Sequence, residues 1–100
     1  MVAFNMNNER ITLPFRLGQI AITQGAMQEL LERNLHPFTF LARHARCDWG
    51  NVSKNDKAAN DAALIEGSRI LSAYEAEDFR IWIITEADRS STVILLPEEY

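Results

Sequence analysis

From residue 23 to residue 66 the apolar positions recur at three- and four-residue intervals, and from residue 69 onward they alternate. The first pattern belongs to helices with one buried stripe, the second to strands. Leu17 to Ile22 stands ahead of the helical part as a short strand, with Ile20 and Ile22 on one face. Thr23 then offers a hydroxyl to a free first-turn amide. Ala26, Met27, Leu30 and Leu31 form the stripe of a helix that ends at Asn34. His36-Pro37 restarts the helical pattern, because Pro at the first helical position forfeits no hydrogen bond. Phe38, Leu41 and Ala45 line one face of this second helix, with Phe40 and His44 beside them, and it runs to about Arg46. Cys47-Asp48-Trp49-Gly50 is a loop. Ser53-Lys54-Asn55-Asp56 resembles a capping box with Asp in place of Glu, and it opens a helix from about Lys54 to Glu66 that Gly67 closes.

Three alternating runs follow, Arg69 to Glu75, Arg80 to Thr85 and Thr92 to Leu96. Short polar links join them, which predicts an antiparallel meander. Pro97 ends the pairing. Ile11 to Phe15 is broken by Pro14 and reads as an edge or irregular segment. Residues 1–10 are expected to be loosely ordered. The expected architecture is one α+β domain, residues 1–100, with three helices packed on one face of a three- to four-stranded antiparallel sheet that ends in a C-terminal β-meander. Its expected core is Ile20, Ile22, Leu30, Leu31, Phe38, Leu41, Leu64, Ile65, Leu71, Ile81, Ile83, Ile84, Val93 and Leu95.

Composition bounds this picture. The chain has 100 residues with 47% hydrophobic and 24% charged, ordinary for a globular domain. The single Cys47 excludes an intrachain disulfide. The absence of a basic-then-apolar leader and of a long apolar run points to a cytoplasmic bacterial protein with no membrane segment. The net charge of −4 divides unevenly: −1 over residues 1–32, +3 over 33–57 and −6 over 58–100. An acidic total disfavours nucleic acid as a partner, while the basic 43–57 segment, with Arg43, Arg46, Lys54 and Lys57, keeps a nucleic-acid-binding module as one alternative. The bland reading of that segment is a solvated face paired with neighbouring acids.

Several words occur together: Arg43-His44, Asp48-Trp49-Gly50, Asn60-Asp61, Gly67-Ser68-Arg69-Ile70-Leu71-Ser72-Ala73-Tyr74, Trp82-Ile83-Ile84-Thr85-Glu86-Ala87-Asp88-Arg89-Ser90 and Leu95-Leu96-Pro97-Glu98-Glu99-Tyr100. Over roughly residues 17–100 the chain resembles a family of small uncharacterised bacterial proteins of plasmids and integrated mobile elements. The resemblance carries no catalytic chemistry. It places Cys47 where relatives tend to have a small residue such as Gly, which weakens a functional reading of the thiol.

The candidate chemistry is one polar constellation. Asp48-Trp49-Gly50 could present an aromatic platform with an acid, although a loop Trp more often packs over a core edge. Asn60 and Asp61 sit mid-helix, where both are poor formers, so a reason is wanted: an ion pair from Asp61 to Arg69 or Arg89, or a site. Glu86, Asp88 and Arg89 occupy a turn, where charges are ordinary and where two acids could also meet a cation. His44 is a candidate general base or ligand with Asp48 or Asp61, against the plainer reading of a half-buried, bonded histidine. His36, His44, Cys47 and Asp48 lack the spacing of a zinc site, and no metal or cofactor is expected. The expected binding residues are Asp48, Trp49, Asn60, Asp61, Arg69, Glu86, Asp88 and Arg89. No phosphate-cradling glycine loop, nucleophile elbow or paired-His motif occurs. The leading expectation is therefore a non-enzymatic accessory or protein-interaction protein of a bacterial mobile element. Its partner would be another protein, or a second copy through an open sheet edge. The enzyme alternative is a small hydrolase or metal-dependent enzyme using His44 with Asp48 or Asp61.

Overall fold

The computed structural model describes residues 2–4, 10–76 and 78–100. Two short strands, β1 (Val2–Phe4) and β2 (Arg10–Thr12), pair antiparallel with each other. The segment expected to be loosely ordered otherwise lies outside the described residues. The main body runs β3 (Gln19–Ile22), α1 (Gln24–Glu32), α2 (Pro37–Ala45), α3 (Lys54–Glu66), β4 (Ile70–Ala76), β5 (Phe79–Thr85) and β6 (Ser91–Leu95), ending in a single 3-10 turn (Pro97–Glu99).

The helix boundaries follow from their caps. The Thr23 hydroxyl accepts from the Ala26 amide at 3.1 Å, and the Ser53 hydroxyl accepts from the Asp56 amide at 3.0 Å. His36 caps α2 through its ring, Nδ1 accepting from the Phe38 amide at 3.1 Å, with Pro37 in the first turn. Each cap satisfies one amide that the helix itself cannot.

The architecture is α+β, with the helices set against a four-stranded sheet of order β3-β6-β5-β4. The expected meander is present, β4 with β5 and β5 with β6 antiparallel. The sheet is mixed rather than wholly antiparallel, because β3 lies parallel to β6. The chain between them passes through three helices and the β4–β5 hairpin, which returns it to the same end of the sheet, as a parallel pair requires.

One face of the sheet carries Ile70, Ser72, Tyr74, Ile81, Ile83, Thr85, Thr92 and Ile94, all buried. Leu30, Leu41, Ala45 and Ala63 come down on it from the helices, and Phe15, Leu17 and Trp49 fill its margin. The expected core is corrected at four positions. Ile20, Leu31, Phe38 and Ile65 are 43%, 66%, 63% and 89% exposed. For Ile65 the cause is rotational. α3 faces the sheet with Asn60 and Ala63, and at 100° per residue this turns Ile65 outward. A hydrophobic count would not choose an asparagine as the anchoring position. For the other three, the cause is a groove described below.

The two edges of the sheet differ. The outward backbone groups of β4 are taken from the Leu71 amide to the Glu75 amide. Asn60 acts as a substitute peptide group: its Oδ1 accepts from the Leu71 amide at 3.1 Å and its Nδ2 donates to the Leu71 carbonyl at 2.7 Å. The Ala73 amide donates to the Trp49 carbonyl at 3.1 Å, and the Ala73 carbonyl accepts from the Asn51 amide at 2.6 Å. The Glu75 amide donates to Asn51 Oδ1 at 3.0 Å. Gly50 permits this approach: its φ is +76°, and a side chain there would strike the Ala73 carbonyl and the Tyr74 ring. β3, by contrast, has no strand on its outer edge among the described residues.

Candidate functional site

α2 buries Leu41, His44 and Ala45, one face at the i, i+3, i+4 spacing. This drives the His44 ring into the sheet, where it is fully buried. Its Nδ1 lies 2.6 Å from Ser72 Oγ and its Nε2 lies 2.9 Å from Thr85 Oγ1. Thr85 Oγ1 is 2.7 Å from Thr92 Oγ1, and the Thr92 hydroxyl donates to the Leu17 carbonyl at 2.6 Å. A carbonyl only accepts, so the chain has one direction. Thr92 donates to Leu17, Thr85 donates to Thr92, His44 Nε2–H donates to Thr85, and Ser72 donates to His44 Nδ1. The imidazole is neutral, and burial pushes its pKa down to about 4. Phe15 meets the ring edge-on at 5.3 Å and Trp49 at 5.9 Å.

A serine donating to a histidine is the start of a nucleophile–base pair. Here Ser72 is as buried as His44, and a threonine stands where an orienting carboxylate would. The pairing of His44 with Asp48 or Asp61 that a hydrolase would use is not formed, because both ring nitrogens are held by hydroxyls. Ser72, Thr85 and Thr92 were not singled out from the sequence. Their signal was present: three hydroxyl residues on the inward face of apolar strands, facing a helix that carries a histidine on its apolar side.

Asp48 and Asp61 hold the α2–α3 corner. Arg43 Nε donates to Asp48 Oδ2 at 2.7 Å, and the Gly50 amide donates to Asp48 Oδ1 at 3.3 Å. The Arg43 guanidinium holds the Asp48 carboxyl below its usual range. Arg43 also lies over the Tyr74 ring at 4.5 Å, and the Tyr74 hydroxyl donates to the Asp48 carbonyl at 2.7 Å. Trp49 is buried, so it offers no aromatic platform, and its Nε1 donates to Asp61 Oδ1 at 3.0 Å. Lys57 donates to the other Asp61 oxygen at 2.9 Å. These two bonds, the indole first, draw the Asp61 carboxyl down. Asp61 therefore pairs with Lys57 rather than with Arg69 or Arg89. Cys47 is half-buried, and burial with nearby Asp61 pushes its thiol up, away from the thiolate a nucleophile needs. Its backbone adopts φ +66°, a left-handed conformation that a glycine takes without strain.

The β5–β6 turn forms a second, separate group. Arg89 donates to the carbonyls of Ser68 at 2.6 Å, Ala63 at 2.9 Å and Glu86 at 3.0 Å. It thereby brings a cation to the open end of α3 and ties the turn to that helix. Asp88 accepts from the Ser90 amide at 2.9 Å, and bonds from Ser90 hold its carboxyl low. Arg69 reaches Glu86 at 3.3 Å and bonds the Tyr100 hydroxyl. Among the described residues no group of three or more His, Cys, Asp and Glu is placed to hold a metal ion. Opposite charges mostly meet their neighbours. Within the basic segment Arg43 and Lys57 are paired, and Arg46 and Lys54 make no ion pair among the described residues.

What stays open is apolar. Ile20, Ile22 and Ile94 from the sheet, with Met27, Leu31, Leu35, His36, Pro37 and Phe38 from the helical side, line a groove of about 510 Å³. It runs beside β3, and none of its lining residues is Asp, Glu, Lys or Arg. Apolar surface of this kind, exposed on a folded domain, marks a binding surface more often than a solvated one. No helix among the described residues is long and apolar enough to cross a membrane. Comparison with protein-family models, with curated proteins and with solved structures finds no match to this chain.

Proposed function

We propose that this protein is a non-catalytic protein-interaction module of a bacterial mobile element, acting in the cytoplasm, and that it docks its partner in the apolar groove beside β3. The supporting observation is the groove itself, where Leu31 and Phe38 stand 66% and 63% exposed side by side with Ile20. The titratable candidates support the same reading from the other side. His44, Asp48, Asp61 and Arg89 spend their bonding capacity inside the fold. The mobile-element assignment rests on the sequence resemblance.

Panning a displayed peptide library against the protein tests the docking surface. Apolar peptides are expected to enrich on the wild type and to be lost on Phe38→Asp, a substitution at an exposed position that is expected to leave the circular dichroism spectrum unchanged. Equal enrichment on both proteins, or none on either at concentrations where the protein is monomeric, rules the groove out as the docking surface.

A further inference from the structure

The two edges of the sheet imply what occupies the groove. A strand edge presents unpaired amides and carbonyls, and natural sheets guard such edges with charge, proline, bulges or covering segments. β4 is guarded from the Leu71 amide to the Glu75 amide by Asn60, Trp49 and Asn51. β3, Gln19-Ile20-Ala21-Ile22, carries no charge, no proline and no covering strand among the described residues.

The register of β3 also defines which groups have no partner among the described residues. The Gln19 amide donates to the Ser90 carbonyl at 2.9 Å and the Thr23 amide to the Ile94 carbonyl at 3.0 Å. Residues 19, 21 and 23 therefore turn their backbone groups toward β6. By the alternation of a strand, Ile20 and Ile22 turn theirs outward. Two free residues flanking one occupied residue are self-complementary about a two-fold axis through Ala21. Ile20 of one copy then stands opposite Ile22 of the other and exchanges both hydrogen bonds with it, twice over, with Ala21 facing Ala21.

We propose, building on the interaction reading above, that the occupant of this surface is a second copy of the same chain. The copies pair antiparallel, β3 to β3, into one continuous eight-stranded sheet. The side chains agree with that arrangement. Ile20 and Ile22 of each copy face the groove side and meet across the axis, and Leu31 and Phe38 close over them. A stable interface buries roughly 800 Å² per partner. A four-residue strand alone falls short of that, and the exposed Ile20, Leu31 and Phe38 with the flanking groove residues add apolar surface to it. Charge agrees as well. Two chains of −4 repel each other over most of their surface, and no Asp, Glu, Lys or Arg side chain lines the β3 strip and groove.

Sedimentation velocity over a micromolar to millimolar series tests this directly. The wild type is expected to dimerise. Ile20→Lys, which sets like charges beside the axis, is expected to weaken the dimer by roughly 100-fold or more, whereas Ile65→Lys on α3 changes nothing. Register is tested by disulfide trapping in a Cys47→Ser background. Ala21→Cys is expected to cross-link two chains under mild oxidation, since a non-hydrogen-bonded pair brings Cα atoms to about 4.5 Å, and Gln19→Cys is not. A wild type that stays monomeric while its groove still selects apolar peptides overturns the second copy and leaves the interaction reading standing. A monomer that selects none overturns both. A dimer unaffected by Ile20→Lys, or trapped equally well at residues 19 and 21, overturns the β3 interface.

Discussion

Asn60→Ala removes a side chain that does the work of a neighbouring strand. Two hydrogen bonds are lost, to the Leu71 amide and the Leu71 carbonyl, and Asn60 is buried, so water replaces them poorly. Each bond contributes about 1 kcal/mol, and stranding the Leu71 amide adds about 1 kcal/mol more. Alanine recovers about 0.5 kcal/mol as the better helix former. The expected net loss is about 2–3 kcal/mol, read in urea as a midpoint lowered by roughly 2–3 M at an m-value of about 1 kcal/mol/M. Asn60→Asp sharpens the test at nearly constant volume. The carboxylate still accepts from the Leu71 amide, but its second oxygen faces the Leu71 carbonyl and repels it. Only the protonated acid can donate there, so the folded state raises this carboxyl's pKa above its unfolded value of about 4. A raised folded pKa contributes stability below the unfolded pKa and loses it as pH rises through the folded one. Asn60→Asp should therefore be as unstable as Asn60→Ala at neutral pH and recover toward wild type in mild acid, while Asn60→Ala does not. An Asn60→Ala protein within about 0.5 kcal/mol of wild type, or an Asn60→Asp protein without the acid recovery, would refute edge pairing by this side chain.

Further outcomes follow from other contacts. His44 titrates at about 4 in the fold against an ordinary 6.5. Its contribution is thus whole above pH 6.5 and declines as pH falls toward 4, by about 3 kcal/mol in all. Urea midpoints against pH should show that slope in the wild type and lose it in His44→Gln. Gly25 sits against the Glu99 carboxylate, which bonds the Thr23 hydroxyl and the Leu96 amide, and a methyl at Gly25 would lie 2.6 Å from a Glu99 oxygen. Gly25→Ala should lower the melting temperature of the wild type and raise that of Glu99→Ala, a reversal of sign that double-mutant melting curves reveal. Cys47, half-buried with its thiol pushed up, should react with an aromatic disulfide reagent well below the rate of a free thiol at pH 8, and at that free rate in urea.

Local chemistry was legible in the chain. Thr23, His36-Pro37, Ser53 and Gly67 each delimit a helix by satisfying groups a few residues away, so the reason is contained in the segment that shows it. The meander was legible from alternation and short links. Long-range pairing was not. The mid-helix Asn60 asked for an explanation, and its partner is the backbone of Leu71, a group every residue possesses and no side-chain pattern marks. The same blindness placed Ile20, Leu31 and Phe38 in the core. They are apolar at the right spacing, and only the order of strands shows that β3 is an edge with nothing above it. For His44 the sequence leaves open a half-buried, bonded histidine or a general base, and the fold buries the ring fully with both nitrogens bonded to hydroxyls.

The parallel pairing of β3 with β6 also sets the order of events during synthesis. β3 leaves the ribosome early, yet its strand neighbour is made only after all three helices and the β4–β5 hairpin. Throughout that interval both of its edges are bare, and contacts so distant in sequence close slowly. A chain released before β6 presents two apolar edges at once, on β3 and on β5, and is the form of this protein most exposed to aggregation and to chaperone capture.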